Sequence, residues 1–246
     1  MTYILALDTS SKQASITLAK GEETLAEYNF SAHNTLSAAL VPAVDFLLKN
    51  AGLKLSDIHV FGVGIGPGVF TGIRVGLATL KGLNFTLRRP VVPVVTLQAL
   101  AYKYLYPGMA AGAFIIPLID AKRDEVYLTV YHVTRQGLKE EVSPRLIHIE
   151  ELKRELESHG AVPFYFVGSG AGAHKAQIEE NFKAGKILQR SPFLSAEIAR
   201  IAYEAYLKKD YITDLQELLP LYIRKPDAEQ KAHSLEKKDR DKNKAS

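Results

Sequence analysis

The sequence predicts an α/β protein built from two similar lobes, and three observations carry that expectation. Short apolar strands joined by tight turns, followed by helix and strand in alternation, occur twice along the 246 residues. Ile4-Leu5-Ala6-Leu7-Asp8 matches Ile116-Pro117-Leu118-Ile119-Asp120, so each copy opens on a strand ending in an aspartate, 112 positions apart. That offset is close to half the chain, which marks duplication of one supersecondary plan rather than a short repeat. A hydrophobic share of 47% over this length supports a sizeable core.

Taken in order, Tyr3 to Leu7 is an apolar strand that stops at the polar turn Asp8-Thr9-Ser10-Ser11. Ala14 to Ala19 and Thr24 to Phe30 follow as strands, with Gly21 between them, giving an antiparallel meander. Leu36, Leu40, Val44, Leu47 and Leu48 then recur at helical spacing up to Asn50, with Pro42 expected to kink that helix or remove one hydrogen bond. His33 precedes it as a solvated or capping residue. Val60 to Ile65 is a fourth strand, Thr71 to Leu87 a helix, Val91 to Val95 a fifth strand, and Leu97 to Tyr104 a helix that Thr96 is placed to cap.

The second copy has strands at Phe114 to Ile119, Val126 to Val133 and Phe164 to Val167. The last of these runs into Gly168-Ser169-Gly170-Ala171-Gly172 and a helix from His174 to Phe182. A final helix starts at Ser195, with Ile198, Ile201, Ala202, Ala205 and Tyr206 on one side. The expected division is an N-terminal lobe over 1–105 and a C-terminal lobe over 106–224. The helix at about 195–208 is expected to pack back on the first lobe. From Lys225 to Ser246 only Leu235 is large and apolar, and six Lys and one Arg face three Asp and two Glu, so 225–246 is expected to be a disordered charged tail.

Composition excludes several classes. No cysteine is present, which removes disulfides, thiolate metal sites and cysteine nucleophiles. The net charge of +4 includes +2 from the tail, so the body has no dense basic stripe of the kind that grips nucleic acid unaided. No apolar run reaches the roughly 20 residues of a membrane helix, and Met1 to Leu7 lacks the basic start of a signal peptide. A cytoplasmic protein with no membrane partner is the expectation.

The seven histidines never come closer than 11 residues in sequence, so no helical His pair can hold a metal, and no Gly-x-Ser-x-Gly elbow supports a serine hydrolase. No catalytic or metal-binding residue is assigned. Asp8 and Asp120 are candidates for holding magnesium on a nucleotide, or else turn aspartates bonded to their own backbone. Ser10, Ser11, Gly168 and Gly170 complete that candidate nucleotide cleft.

Gly66-Pro67-Gly68-Val69-Phe70-Thr71-Gly72-Ile73-Arg74-Val75-Gly76 reads as strand, tight turn and helix start, with Thr71 as N-cap and an anion site or plain close packing as its use. Arg74 near a helix start opposes the dipole, which suggests a carboxylate or anion partner. Gly72, Gly76, Ala78 and Gly82 make one helix smooth at a cost of about 1 kcal/mol per glycine, which needs a closely packed neighbour. That neighbour is internal, or it is another subunit. In the second case Leu36, Leu40, Thr71, Gly72, Arg74, Val75, Gly76, Ala78, Thr79 and Gly82 form the docking face.

Two lobes of this plan resemble the duplicated fold of actin and the sugar and acetate kinases, a ribonuclease H-like arrangement that binds nucleotide between its halves. The opening Ile-Leu-Ala-Leu-Asp-Thr-Ser, the Gly66 to Gly76 segment, Ile119-Asp-Ala-Lys-Arg-Asp-Glu-Val-Tyr127 and Pro220-Leu-Tyr-Ile-Arg-Lys-Pro-Asp-Ala228 resemble the TsaB (YeaZ) family over about 225 residues. The resemblance implies a non-catalytic dimerisation subunit of the machinery that places threonylcarbamoyl on the tRNA adenosine next to the anticodon. It implies a TsaD-type catalytic partner holding a metal through histidines, a TsaE-type ATPase, and contact with tRNA only through that complex. A homodimer is implied for the chain alone. No cofactor is implied for it alone, with ATP or ADP and magnesium at the complex interface. The alternative is an independent ATP-dependent kinase of a small metabolite, with Asp8 or Asp120 as base.

Overall fold

The computed structural model describes residues 1–31, 36–106, 109–160 and 162–224. The expectations for His33 and for the tail at 225–246 lie outside the described residues.

In the first lobe β1 (Tyr3–Asp8), β2 (Gln13–Lys20) and β3 (Glu23–Ser31) form the meander, followed by α1 (Leu36–Asn50), β4 (Val60–Gly66), α2 (Phe70–Asn84), β5 (Val91–Val95) and α3 (Thr96–Tyr104). The second lobe repeats the plan with β6 (Phe114–Lys122), β7 (Glu125–Thr134), β8 (Gly137–His148), α4 (Leu152–Leu156), β9 (Phe164–Val167), α5 (Ser169–Ala173), α6 (Lys175–Asn181), β10 (Lys186–Leu188) and α7 (Ser195–Lys208). The sheets run β3-β2-β1-β4-β5 and β8-β7-β6-β9-β10, each with two antiparallel and two parallel pairings. The same order twice is the duplicated, actin-like α/β fold.

β1 explains why its sequence is unbroken in apolar residues. Leu5 and Leu7 join a core with Leu40, Val44, Phe61 and Leu80 under α1 and α2, while Ile4 and Ala6 face the core shared with Ile198 and Ala202 of α7. Alternate side chains of a strand point to opposite faces, so a central parallel strand covered on both must be apolar throughout. Ile116, Leu118, Leu128, Phe166 and Ile178 build a third core on the outer face of the second sheet.

The last helix of each lobe packs across the junction: α7 lies on β1 and β4, and α3 lies on β6. Gly62 lets α7 approach, since a Cβ there would sit 3.0 Å from both Ala202 Cβ and Ile198 Cγ2. After α7 the chain pairs Ile212 with Val91, and the Leu221 amide donates to the Ile65 carbonyl at 2.8 Å. Arg224, the last of the described residues, donates to the Ala121 carbonyl at 2.8 Å and is ion-paired with Glu125 of the second lobe.

Several elements differ from expectation. β8 is a strand that the sequence reading omits, because its face carries Lys139, Glu140 and Glu141 and most of its residues are exposed or half-buried. α4 and β10 are short additions of the same kind. α1 runs through Pro42, which is exposed. Neither threonine caps its helix. α2 begins at Phe70 with extended Val69 at its N-cap, and α3 begins at Thr96 with Val95 there, in both cases without a side-chain cap bond.

Candidate functional site

Two regions gather the residues singled out from the sequence: the cleft between the lobes and the outer side of α2. The cleft is shaped by the β1–β2 turn, whose backbone is pressed against α2. The Val69 amide donates to the Ser10 carbonyl at 2.7 Å, and Thr9 Oγ1 donates to the Gly72 carbonyl at 2.8 Å. A Cβ on Gly68 would lie 2.1 Å from Ser10 O, one on Gly72 2.1 Å from Thr9 O, and one on Gly76 2.2 Å from Thr9 Oγ1. Those separations forbid any side chain, so the glycines at 68, 72 and 76 exist for this internal contact. The approach to the helix start is filled by the protein's own Thr9–Ser10 backbone.

Asp8 sits at the end of β1, 2% exposed, with Oδ1 accepting the Ser10 amide at 3.1 Å. Burial pushes its carboxyl above the usual carboxylate range, and the nearby Glu197 charge adds to this against opposing hydrogen bonds from Ser10 and Thr9. Asp120 has the opposite fate. Partial burial raises its pKa, but hydrogen bonds and charge from Lys122, with His174 further off, outweigh that and hold it below its ordinary value. Its side chain is ion-paired with Lys122, and its amide donates to Ser169 Oγ at 3.1 Å.

Two adjoining cavities occupy the cleft. One, about 290 Å³, is walled by Asp8, Ser10, Ser11, Thr96, Leu100, Gly168 and Arg190 among others. The other, about 490 Å³, lies toward α2 and meets Lys12, Phe70, Asp120, Lys122, Tyr222 and Arg224. The structure thus brings Asp8, Ser10, Ser11 and Gly168 to one wall and places Asp120 in the neighbouring cavity. Gly170 is buried against Leu118 and lines neither. A magnesium nucleotide needs open, ionised carboxylates or waters held by them. One aspartate here is buried and bonded to the Ser10 amide, and the other is ion-paired with Lys122, so neither is the open, unpaired carboxylate that group needs. Among the described residues no cluster of three or more His, Asp or Glu side chains is arranged to hold a metal ion.

On α2 the helix divides cleanly. Ile73, Gly76, Leu77 and Leu80 face the core, while Thr71, Arg74, Ala78 and Gly82 are exposed and Val75 and Thr79 half-buried beside them. Nothing lies within 4 Å of a Cβ placed on Gly82. The docking residues expected from sequence therefore need correction: Gly72 and Gly76 belong to the Thr9 contact, and Leu40 is 0% exposed in the core of its own lobe. On α1 the leucine side faces the sheet; half-buried Leu36 stands at its start, and Val41 and Phe46 are the large apolar residues it shows to solvent. Phe85, 75% exposed just past the end of α2, is a large apolar side chain in solvent that the sequence reading missed. Its phase, well round the helix from Ile73 and Leu80, is the available signal. Arg74 has an internal role instead of a carboxylate: its Nε donates to Tyr222 Oη at 2.7 Å and its guanidinium lies 3.9 Å from the Phe70 ring centroid. Phe70 and Tyr222 stack at 4.6 Å.

Comparison with known proteins agrees with this architecture. A family model described as "TsaD: tRNA N6-adenosine threonylcarbamoyltransferase" matches residues 30–233. The Haemophilus influenzae "tRNA threonylcarbamoyladenosine biosynthesis protein TsaB" is 31% identical over 232 residues, covering 90% of this chain and 93% of that protein. The chain belongs to the TsaB (YeaZ) family. The Bacillus subtilis protein of the same name is 31% identical over 236 residues, 93% of this chain and 96% of its own. The solved structure of "YeaZ from Pseudomonas aeruginosa" superposes with a TM-score of 0.75 at 26% identity, covering 90% of this chain and all of that one. In this TsaB-family chain, no helix of the described residues is long and apolar enough to cross a membrane.

Proposed function

We propose that this chain is a non-catalytic dimerisation and scaffold subunit in the biosynthesis of tRNA threonylcarbamoyladenosine. In that role it pairs with a TsaD-type relative. That partner transfers threonylcarbamoyl from threonylcarbamoyl-AMP to N6 of the adenosine 3′ to the anticodon, in tRNAs reading codons that start with A. A TsaE-type ATPase joins the pair, tRNA is met only through the complex, and alone the chain forms a homodimer. The work is cytoplasmic. ATP or ADP with magnesium belongs at the complex interface, where the partner supplies the ligands this cleft does not offer.

The observation that carries the reading is the outer side of α2: exposed Thr71, Arg74, Ala78 and Gly82 with Phe85 beyond them. Gly82 weakens the helix by about 1 kcal/mol relative to alanine. Gly68, Gly72 and Gly76 have internal neighbours that require them, whereas Gly82 has none. A smooth helix side with an exposed aromatic at its end is what close helix–helix docking uses.

Sedimentation of the full chain mixed with a TsaD-type partner tests this. Gly82→Trp and Ala78→Arg should weaken pairing at least tenfold, about 1.4 kcal/mol, while far-UV circular dichroism and melting stay those of the parent. Variants that fold and still pair with parental affinity would sink the proposal. The kinase alternative needs Asp8 or Asp120 as a base, and a buried, acid-biased Asp8 with a lysine-paired Asp120 argues against both. Turnover of Mg-ATP by the isolated chain would restore it.

A further inference from the structure

Arg74 is held in place by its own chain yet keeps its outer nitrogens unused. The internal bond takes Nε alone, which donates to Tyr222 Oη at 2.7 Å, and the guanidinium carbon lies 3.9 Å from the Phe70 ring centroid. Tyr222 is fixed in turn. Its ring stacks on Phe70, the neighbouring Leu221 amide bonds the Ile65 carbonyl, and Arg224 is tied to Ala121 and Glu125 of the second lobe. Arg74 is exposed, and among the described residues it makes no other hydrogen bond and no ion pair. We propose that Arg74 selects the partner of the α2 face: its Nη1 and Nη2 pair end-on with a carboxylate of an acidic partner surface, and the same charge disfavours docking of a second copy of this chain.

The inference rests on docking at α2, proposed above, and names the chemistry of what docks there. Arg74, Ala78, Gly82 and Phe85 follow one another at spacings of four, four and three, so they fall on one stripe of the helix. At 1.5 Å per residue the Arg74 and Phe85 ends of that stripe lie about 16 Å apart. The matching surface carries a carboxylate at one end, small side chains opposite Ala78 and Gly82, and an apolar hollow at the other end. Charge decides against a second copy. α2 contains Arg74 and Lys81 and no acidic residue. The single carboxylate of neighbouring α1, Asp45, is already paired with Lys49 at 2.7 Å. Two copies meeting through this face bring cation to cation with no free anion between them, a repulsive element of the kind that sets partner choice. A guanidinium already stacked and bonded also loses little freedom on meeting a carboxylate, and its planar fork matches one.

The test is sedimentation and isothermal titration of the full chain, alone and with a TsaD-type protein, at low and high salt. Arg74→Gln removes the charge, Arg74→Glu reverses it, and Tyr222→Phe removes the internal bond while the charge stays. Arg74→Gln should weaken the mixed pair about tenfold at low salt and flatten its salt dependence. Arg74→Glu should weaken the mixed pair further and tighten pairing of the chain with itself, since α2 then carries both signs. Tyr222→Phe should keep the salt dependence of the parent, which separates a loosened segment from a lost ion pair. Ala78→Arg checks docking itself. Should it leave pairing intact, the docking reading fails and this inference with it. Should it break pairing while Arg74→Gln and Arg74→Glu keep the affinity and salt dependence of the parent, docking stands and this inference alone is overturned. Equal weakening by Arg74→Gln and Tyr222→Phe, with salt dependence unchanged in both, would overturn it too, because the arginine would then act only inside its own chain.

Discussion

Gly76→Ala is the substitution on which the internal and docking roles of the α2 glycines diverge most. In an isolated helix it gains about 1 kcal/mol from propensity. Here the new methyl would meet Thr9 Oγ1 at 2.2 Å, with Thr9 Cβ at 3.4 Å and Cγ2 at 3.5 Å. The hydroxyl cannot simply rotate away without giving up its 2.8 Å bond to the Gly72 carbonyl. Overpacking of this kind costs about 1–3 kcal/mol, and the lost hydrogen bond about 0.5–1.5 kcal/mol. Net destabilisation is then about 0.5–3.5 kcal/mol. For a chain of this length each kcal/mol moves the melting temperature by roughly 2–4 °C. The assay is thermal and urea unfolding at low protein concentration, with Gly82→Ala beside it. Gly82 has open space, so its alanine should raise stability by up to about 1 kcal/mol. In a Thr9→Ala background the hydroxyl is gone and only the ordinary contact with Cβ remains, so Gly76→Ala should lose most of its cost there. The coupling between the two sites should exceed about 1 kcal/mol. Equal stability of Gly76→Ala and the parent, or no coupling with Thr9, would refute the reasoning.

Other perturbations follow from the same geometry. Asp8 has a folded pKa above its unfolded value of 3.8, so its contribution to stability is fully present below that pH and is lost as pH rises through the folded pKa. Asp8→Asn should therefore match the parent near pH 3.5 and gain on it with rising pH, by up to about 1.4 kcal/mol per pH unit across that window, as read from urea titrations at several pH values. Tyr222→Phe removes the hydroxyl that Arg74 bonds but keeps the ring stack on Phe70, and should cost about 0.5–1 kcal/mol in the same unfolding assay. Glu125→Gln breaks the ion pair that ties Arg224 to the second lobe, and limited proteolysis should then cut faster after Tyr222 or Arg224.

Much of the fold was legible because both strand-ending aspartates follow apolar runs covered on two faces, a pattern that survives in a single sequence. β8 was not legible, since an edge strand with a single buried residue carries clustered charge and reads as loop. The α2 glycines were visible as a stripe, but glycine spacing alone is the same for an internal and an external neighbour. Phase decides it: Gly76 falls with Ile73, Leu77 and Leu80, and so faces inward, while Ala78 and Gly82 fall opposite. The same test would have moved Leu40 into the core with Val44 and Leu47. Thr96 at a helix start ordinarily reads as a cap, yet Val95 stands at the N-cap of α3 and no side-chain cap bond forms there.

Hydrogen–deuterium exchange of the chain with and without a TsaD-type protein addresses the claim on which the account stands. Protection on binding is predicted for peptides covering 70–85, with the exposed side of 36–50 beside them, while 137–148 stays unchanged. Protection confined to the second lobe, with 70–85 exchanging as in the free chain, would contradict it.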